Sequence, residues 1–128
     1  MASVLLLGVA AESVLLKLCS IVRTSLTDPV DQAAFDRLPD QVRPKHRWIV
    51  NKYQMLPGST RRNQLPESLD TTFISLYELI RRQRNDLGHP QDDPPSIDRE
   101  RAFIFFRTFP GFVEDVEAFA EYCKANGL

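Results

Sequence analysis

Arg84, Asn85 and His89 fall within six positions of the stretch Arg81-Arg82-Gln83-Arg84-Asn85-Asp86-Leu87-Gly88-His89-Pro90. An imidazole, with an unperturbed pKa of about 6.5, exchanges protons near neutral pH as general base or acid. A guanidinium stays charged and can hold a phosphate together with the extra negative charge of its transition state. A side-chain amide can orient the phosphate or the imidazole. The reaction these groups suit, without a metal, is cleavage of RNA by its own 2′-hydroxyl, giving a 2′,3′-cyclic phosphate and a 5′-hydroxyl end. Arg81 and Arg82, just upstream, are candidates for guiding the strand.

A helix must position this set. Leu69, Phe73, Leu76, Tyr77 and Ile80 recur at spacings of three and four, the mark of one apolar helical stripe. Continued at the same spacing, the stripe reaches Arg84 and then Leu87, so an arginine stands where a leucine is expected. A guanidinium on a packed face is costly unless it meets an anion or good acceptors. Gly88 is expected to stop the helix in the left-handed conformation, and Pro90 to prevent its resumption. On an unbroken helix Arg84 and His89 would point about 140° apart; a break at Gly88 lets the imidazole swing back. A plainer reading stays open, in which Arg84 pairs with Glu12 or a C-terminal acid and His89 caps the last carbonyls.

Arg84-Asn85-x-x-x-His89 resembles the R-x4-H signature of the HEPN superfamily, with its polar residue directly after the arginine. The context is similar too: the motif ends a helix, and a further helix follows a Pro-rich loop. This resemblance implies an all-α, HEPN-like bundle acting as a metal-independent endoribonuclease of toxin or defence type, with no cofactor. A single histidine per chain fills only one of the two proton-transfer roles. HEPN ribonucleases generally solve this as homodimers, in which two motif helices face each other and give a composite site. On that pattern His89 is the catalytic group, Arg84 binds phosphate, Asn85 orients, and Arg81 or Arg82 guides RNA. The implied partners are RNA, a second copy, and an antitoxin or a larger defence assembly. Some HEPN toxins carry a modifiable tyrosine two residues after the histidine; Gln91 stands there, so silencing of that kind is not expected. The alternative within the family is a non-catalytic module that dimerises or binds a nucleotide or partner.

Composition bounds the rest. The chain has 128 residues, enough for one domain spanning 1–128 and too few for two ordinary ones. Being 43% hydrophobic and 26% charged, it reads as globular, and a net charge of -1 gives no overall basic field for nucleic acid. Charge is nonetheless uneven, with Arg61, Arg62, Arg81, Arg82 and Arg84 on one side of the ledger and Glu114, Asp115, Glu117 and Glu121 on the other. Cys19 and Cys123 each sit in an apolar helical pattern and read as buried free thiols, a disulfide being the minor alternative. With no convincing export signal, they point to a reducing cytoplasm. Only His46 and His89 are available as imidazoles, so a Cys/His zinc site is not expected.

Residues 4–22 form an apolar run that Glu12 and Lys17 interrupt, which argues for a core helix rather than a membrane anchor or signal peptide. Ser13, Lys17, Ser20 and Thr24 line one polar face. Glu12 is either a solvated side chain or the carboxylate that holds Arg84. The run starts almost at Met1, as in a fragment of a longer protein. Asp28-Pro29 opens a short helix that ends at Pro39. Pro44 opens another, carrying Trp48, Ile49 and Tyr53 or Met55 inward and closing before Pro57-Gly58; His46 reads as a surface histidine. Residues 57–66 read as a loop whose Arg61-Arg62 pair is exposed, and Pro66-Glu67 starts the motif helix. Gln91–Pro95 reads as the return loop, and Ser96 as the cap of a last helix. Ala102–Phe106, which resembles a strand, has no second strand to pair with and is kept helical. Pro110-Gly111 is expected to kink or split that helix, and Gly127 to end it. The phenylalanines concentrated there suit a bulky core and an apolar dimer face. The sum is a helical bundle with four to five main helices.

Overall fold

Leu7, Ala11, Leu15, Leu18 and Val22 recur at spacings of three and four, and helix α1 (Ala2–Ser25) buries that whole stripe. Ser13, Lys17, Ser20 and Thr24 face solvent, as their shared register requires. The computed structural model describes residues 2–88 and 99–128, with side-chain environments for 6–82 and 104–128. Five further helices follow among the described residues: α2 (Pro29–Asp36), α3 (Val42–Met55), α4 (Gly58–Gln64), α5 (Leu69–Gly88) and α6 (Arg99–Asn126). No strand occurs among them, so Ala102–Phe106 is helical and the bundle is all-α. None of these helices is long and apolar enough to cross a membrane.

The core lies where α1, α5 and α6 meet, with α3 against α1 and α5. Leu69, Phe73, Leu76, Leu79 and Ile80 of α5 are buried against Leu15, Leu18 and Val22 of α1 and Val116 and Phe119 of α6. Phe73, Tyr53 and Phe119 meet edge-on, with ring centroids 5.6–5.8 Å apart, a preferred aromatic arrangement. Cys19 and Cys123 are free and buried, and burial pushes their thiols up to about 11 and about 12. They behave as small apolar side chains.

The short helix α2 begins as expected: the Asp28 carboxylate accepts from the Val30 N–H at 2.9 Å, with Pro29 at the first helical position. In α3, Ile49 and Tyr53 turn inward, Trp48 is half-buried edge-on to Phe35, and Met55 is exposed.

Two expectations are corrected. The loop expected over 57–66 holds a helix, α4. Its composition is polar, but Pro57 supplies the carbonyl that accepts from the Arg61 N–H at 3.1 Å. Leu65 plugs into the core at its end, and the Arg61 guanidinium lies over the Tyr53 ring. Tertiary anchoring overrides the local composition. Pro110 likewise fails to split α6, which runs unbroken through it. Proline removes one backbone donor, but Pro110 and Gly111 are exposed, where water can satisfy the freed carbonyl. Phe105, Phe109 and Phe112 pack against the core on both sides of Pro110 and keep the two halves one helix.

Gly127 closes α6. Its φ is +78°, its N–H donates to the Cys123 carbonyl at 2.8 Å, and the Leu128 N–H donates to the Ser25 carbonyl at 3.1 Å. That last bond ties the C-terminal ends of α1 and α6 together. A methyl group at Gly127 would meet Thr27 Cγ2 at 3.1 Å in a backbone conformation L-residues avoid. Gly127→Ala is therefore expected to cost about 1–2 kcal/mol. Its melting temperature should fall by roughly 4–8 °C; an unchanged melting curve would show that this closure contributes nothing.

Candidate functional site

The motif helix α5 owes its position to both of its ends. At the start, Ser68 Oγ and Thr72 Oγ1 both donate to the Asp115 carboxylate of α6, each at 2.6 Å. Thr72 is buried, so this charge-assisted bond fixes the register of α5 on α6. The first turn of α5 thus sits against the middle of α6. Ile80 is the last buried residue of this stripe among those whose side chains are described, and the helix continues eight residues further through Gly88.

Arg84 and Asn85 lie on this last stretch of α5, but their side chains are outside the described ones, as is His89 altogether. The expected stop at Gly88, the return loop at 91–95 and the Ser96 cap meet the same boundary. Glu12, half-buried on α1, is engaged rather than idle.

Arg81 and Arg82 are described, and they share one carboxylate. Arg81 donates to both oxygens of Glu78 at 3.1 and 3.2 Å, and Arg82 Nε donates to Oε1 at 2.9 Å. The Arg81 guanidinium, then Arg82, holds the Glu78 carboxyl below its ordinary range, and Glu78 in turn raises Arg81. Among the described residues, two guanidinium groups thus share this one carboxylate. Arg81 is the more open of the two, with 48% of its side chain exposed against 19% for Arg82, so Arg81 is the better placed to meet a strand.

A second cluster was not foreseen. His46, expected at the surface, is buried, because Val42, His46, Ile49 and Tyr53 share the inward face of α3. Its Nε2 lies 3.1 Å from the Phe73 carbonyl, which can only accept, so Nε2 carries the proton. Burial pushes this imidazole down to about 4, against a smaller upward effect of that hydrogen bond. Its ring stacks on Tyr77 at 5.5 Å. The Tyr77 hydroxyl accepts from Arg43 Nη2 at 2.8 Å and Nε at 3.3 Å. Arg43, with a lesser contribution from Arg47, lowers the Tyr77 phenol below its usual range.

His46 and Tyr77 form part of the wall of a cleft of about 620 Å³ between α3, α4 and α5. Gln54, Arg61, Asp70 and Ile74 complete its mouth. Arg61 Nε is buried and finds no acceptor among the described residues, an omission that ordinarily costs about 1–3 kcal/mol. Burial raises the Tyr53 phenol; the Asp70 charge adds to that, and Arg61 opposes it. Asp70 and Arg61 thus act on the same hydroxyl from neighbouring positions. Among the described residues no three His, Cys, Asp or Glu side chains are grouped to hold a metal ion.

Set against family models, curated proteins and solved structures, the chain matches none. Its functional reading rests on its own residues.

Proposed function

We propose that this chain is a HEPN-type domain and a metal-independent endoribonuclease of toxin or defence type, working as a homodimer with a composite site. His89 transfers the proton, Arg84 binds the scissile phosphate, Asn85 orients, and Arg81 with Arg82 draws in the strand. The observation that carries this reading is the register of the motif. Arg84 and Asn85 occupy the last turns of α5, directly ahead of His89 in the chain. The two arginines gathered on Glu78, Arg81 the more open, support it, since phosphate contacts dominate nucleic-acid affinity. Support for a second copy comes from the exposed Leu6 and Val9 of α1 and Ile104 and Phe106 of α6. All four are large apolar side chains left in solvent, which a second copy could cover.

The test is direct. The purified chain, incubated with single-stranded RNA in a metal chelator, is expected to cut it and leave 2′,3′-cyclic phosphate and 5′-hydroxyl ends. DNA of the same sequence, lacking the attacking hydroxyl, should stay intact. Cleavage that stops in chelator, or that spares neither polymer, rules the mechanism out. Dimerisation or nucleotide binding with no cleavage of any RNA would instead mark a non-catalytic module.

A further inference from the structure

The cleft between α3, α4 and α5 is not part of the motif, yet it shares a face of α5 with it. Asp70, Tyr77 and position 84 are spaced by seven residues on one continuous helix, a spacing that drifts only about 20° per step. From Asp70 to position 84 is about 21 Å along the axis. At about 3.4 Å per stacked nucleotide that is roughly six nucleotides, or fewer if the strand is extended. The cleft's volume, about 620 Å³, is that of a small-molecule site.

Its polar groups ask for a particular edge. The Arg61 guanidinium lines the cleft; its Nε is closed off from solvent, so the donors a ligand would use are its terminal nitrogens. Asp70 is exposed at the mouth, and its carboxylate offers only acceptors. A complementary ligand must therefore present an acceptor beside N–H donors. It must also carry a flat apolar body, because Ile74 is 71% exposed at the rim and the Tyr77 ring forms the inner wall. Beyond Tyr77 lie Arg43 and Arg47. Among the described residues neither they nor Arg61 has a carboxylate within ion-pairing distance, so their charge is available to a phosphate.

We propose that this cleft binds a guanine base, with Asp70 accepting from its two adjacent N–H groups, Arg61 donating to its carbonyl, and Arg43 and Arg47 facing the attached phosphate. Guanine alone among the common bases sets two neighbouring donors beside a carbonyl acceptor. Uracil, with one donor, is second; adenine and cytosine lack the pattern. The base can come from a free guanine mononucleotide or from a guanine in a strand that continues along α5. The strand-borne form rests on the ribonuclease reading, while the pocket itself does not.

The experiment is calorimetric titration of the whole chain with GMP, UMP, AMP and CMP, repeated on Asp70→Asn and Gln54→Ala. GMP should bind tightest, and Asp70→Asn should weaken it at least tenfold while leaving AMP unchanged. Asp70 is exposed, so the variant should melt with the wild type; Gln54→Ala, a milder change at the mouth, is expected to weaken GMP severalfold and serves if it does not. Equal binding of all four nucleotides, binding of none, or indifference to both substitutions overturns the proposal. All-deoxy strands, which cannot be cut by a 2′-hydroxyl, separate the sources. If one guanine for adenine exchange tightens such a strand tenfold while free GMP binds weakly, the base is strand-borne; if free GMP binds as tightly, the ligand is the nucleotide. Cleavage without base-selective binding sinks the pocket and spares the ribonuclease, and selective binding without cleavage does the reverse.

Discussion

His89→Ala is expected to lower RNA cleavage by about 10²- to 10⁴-fold, the range supplied by a positioned acid or base. Arg84→Ala should cost about 10²- to 10³-fold, because it removes charge stabilisation at the phosphate but no proton carrier. A melting curve recorded on each variant separates lost chemistry from lost folding. The composite site makes a sharper demand. If one histidine from each copy is needed, one as base and one as acid, a dimer of one wild-type and one His89→Ala chain has lost half of the pair. Excess variant mixed with wild type and allowed to exchange should then suppress activity well below the wild-type fraction present. Activity that simply tracks the amount of wild-type chain would show that each protomer works alone, and the shared site would have to be abandoned. Retention of full activity by His89→Ala would remove the histidine from the mechanism altogether.

The bundle was legible from the sequence because its long helices carry strong three-and-four patterns. Leu69, Phe73, Leu76 and Ile80 announced the buried face of α5, and Asp28-Pro29 announced the start of α2. What escaped was set by tertiary contact. Nothing local in Gly-Ser-Thr-Arg-Arg-Asn-Gln marks a helix; α4 forms because Leu65 is buried at its end and Arg61 covers Tyr53. Pro110 carries a local stop signal that packing of Phe105, Phe109 and Phe112 overrides. The burial of His46 is legible in its spacing. Lys45 and Arg47 beside it suggested a surface turn of helix, yet Val42, His46, Ile49 and Tyr53 already stood at inward spacing. The cleft could not be read at all, since Arg61 and Asp70 come from different helices and meet only around Tyr53. The Arg84–His89 motif was legible as a spacing, and chemistry rather than fold must decide it.

The buried His46 has a consequence that can be measured in acid. Its folded-state pKa is pushed from 6.5 down to about 4, so the native protein keeps it neutral where the unfolded chain protonates. The unfolded state therefore binds more protons between these two values, and stability falls as pH is lowered from about 6.5 toward 4. The loss from this group is on the order of 3 kcal/mol. His46→Leu removes the titration and leaves the Phe73 carbonyl as an ordinary helix acceptor. Denaturant melts of the two proteins at pH 7 and pH 4.5 should show the wild type losing most of that amount relative to the variant; parallel losses would mean the imidazole is not buried neutral. The same property constrains the catalytic assignment. The chain has two histidines, and His46 is neutral well below neutral pH, held as a donor to Phe73 beneath Tyr77. An imidazole inflection near pH 6–7 in the cleavage rate would thus belong to His89. If that inflection survives in His46→Leu and vanishes with His89→Ala, one histidine builds the wall between α3 and α5 and the other moves the proton.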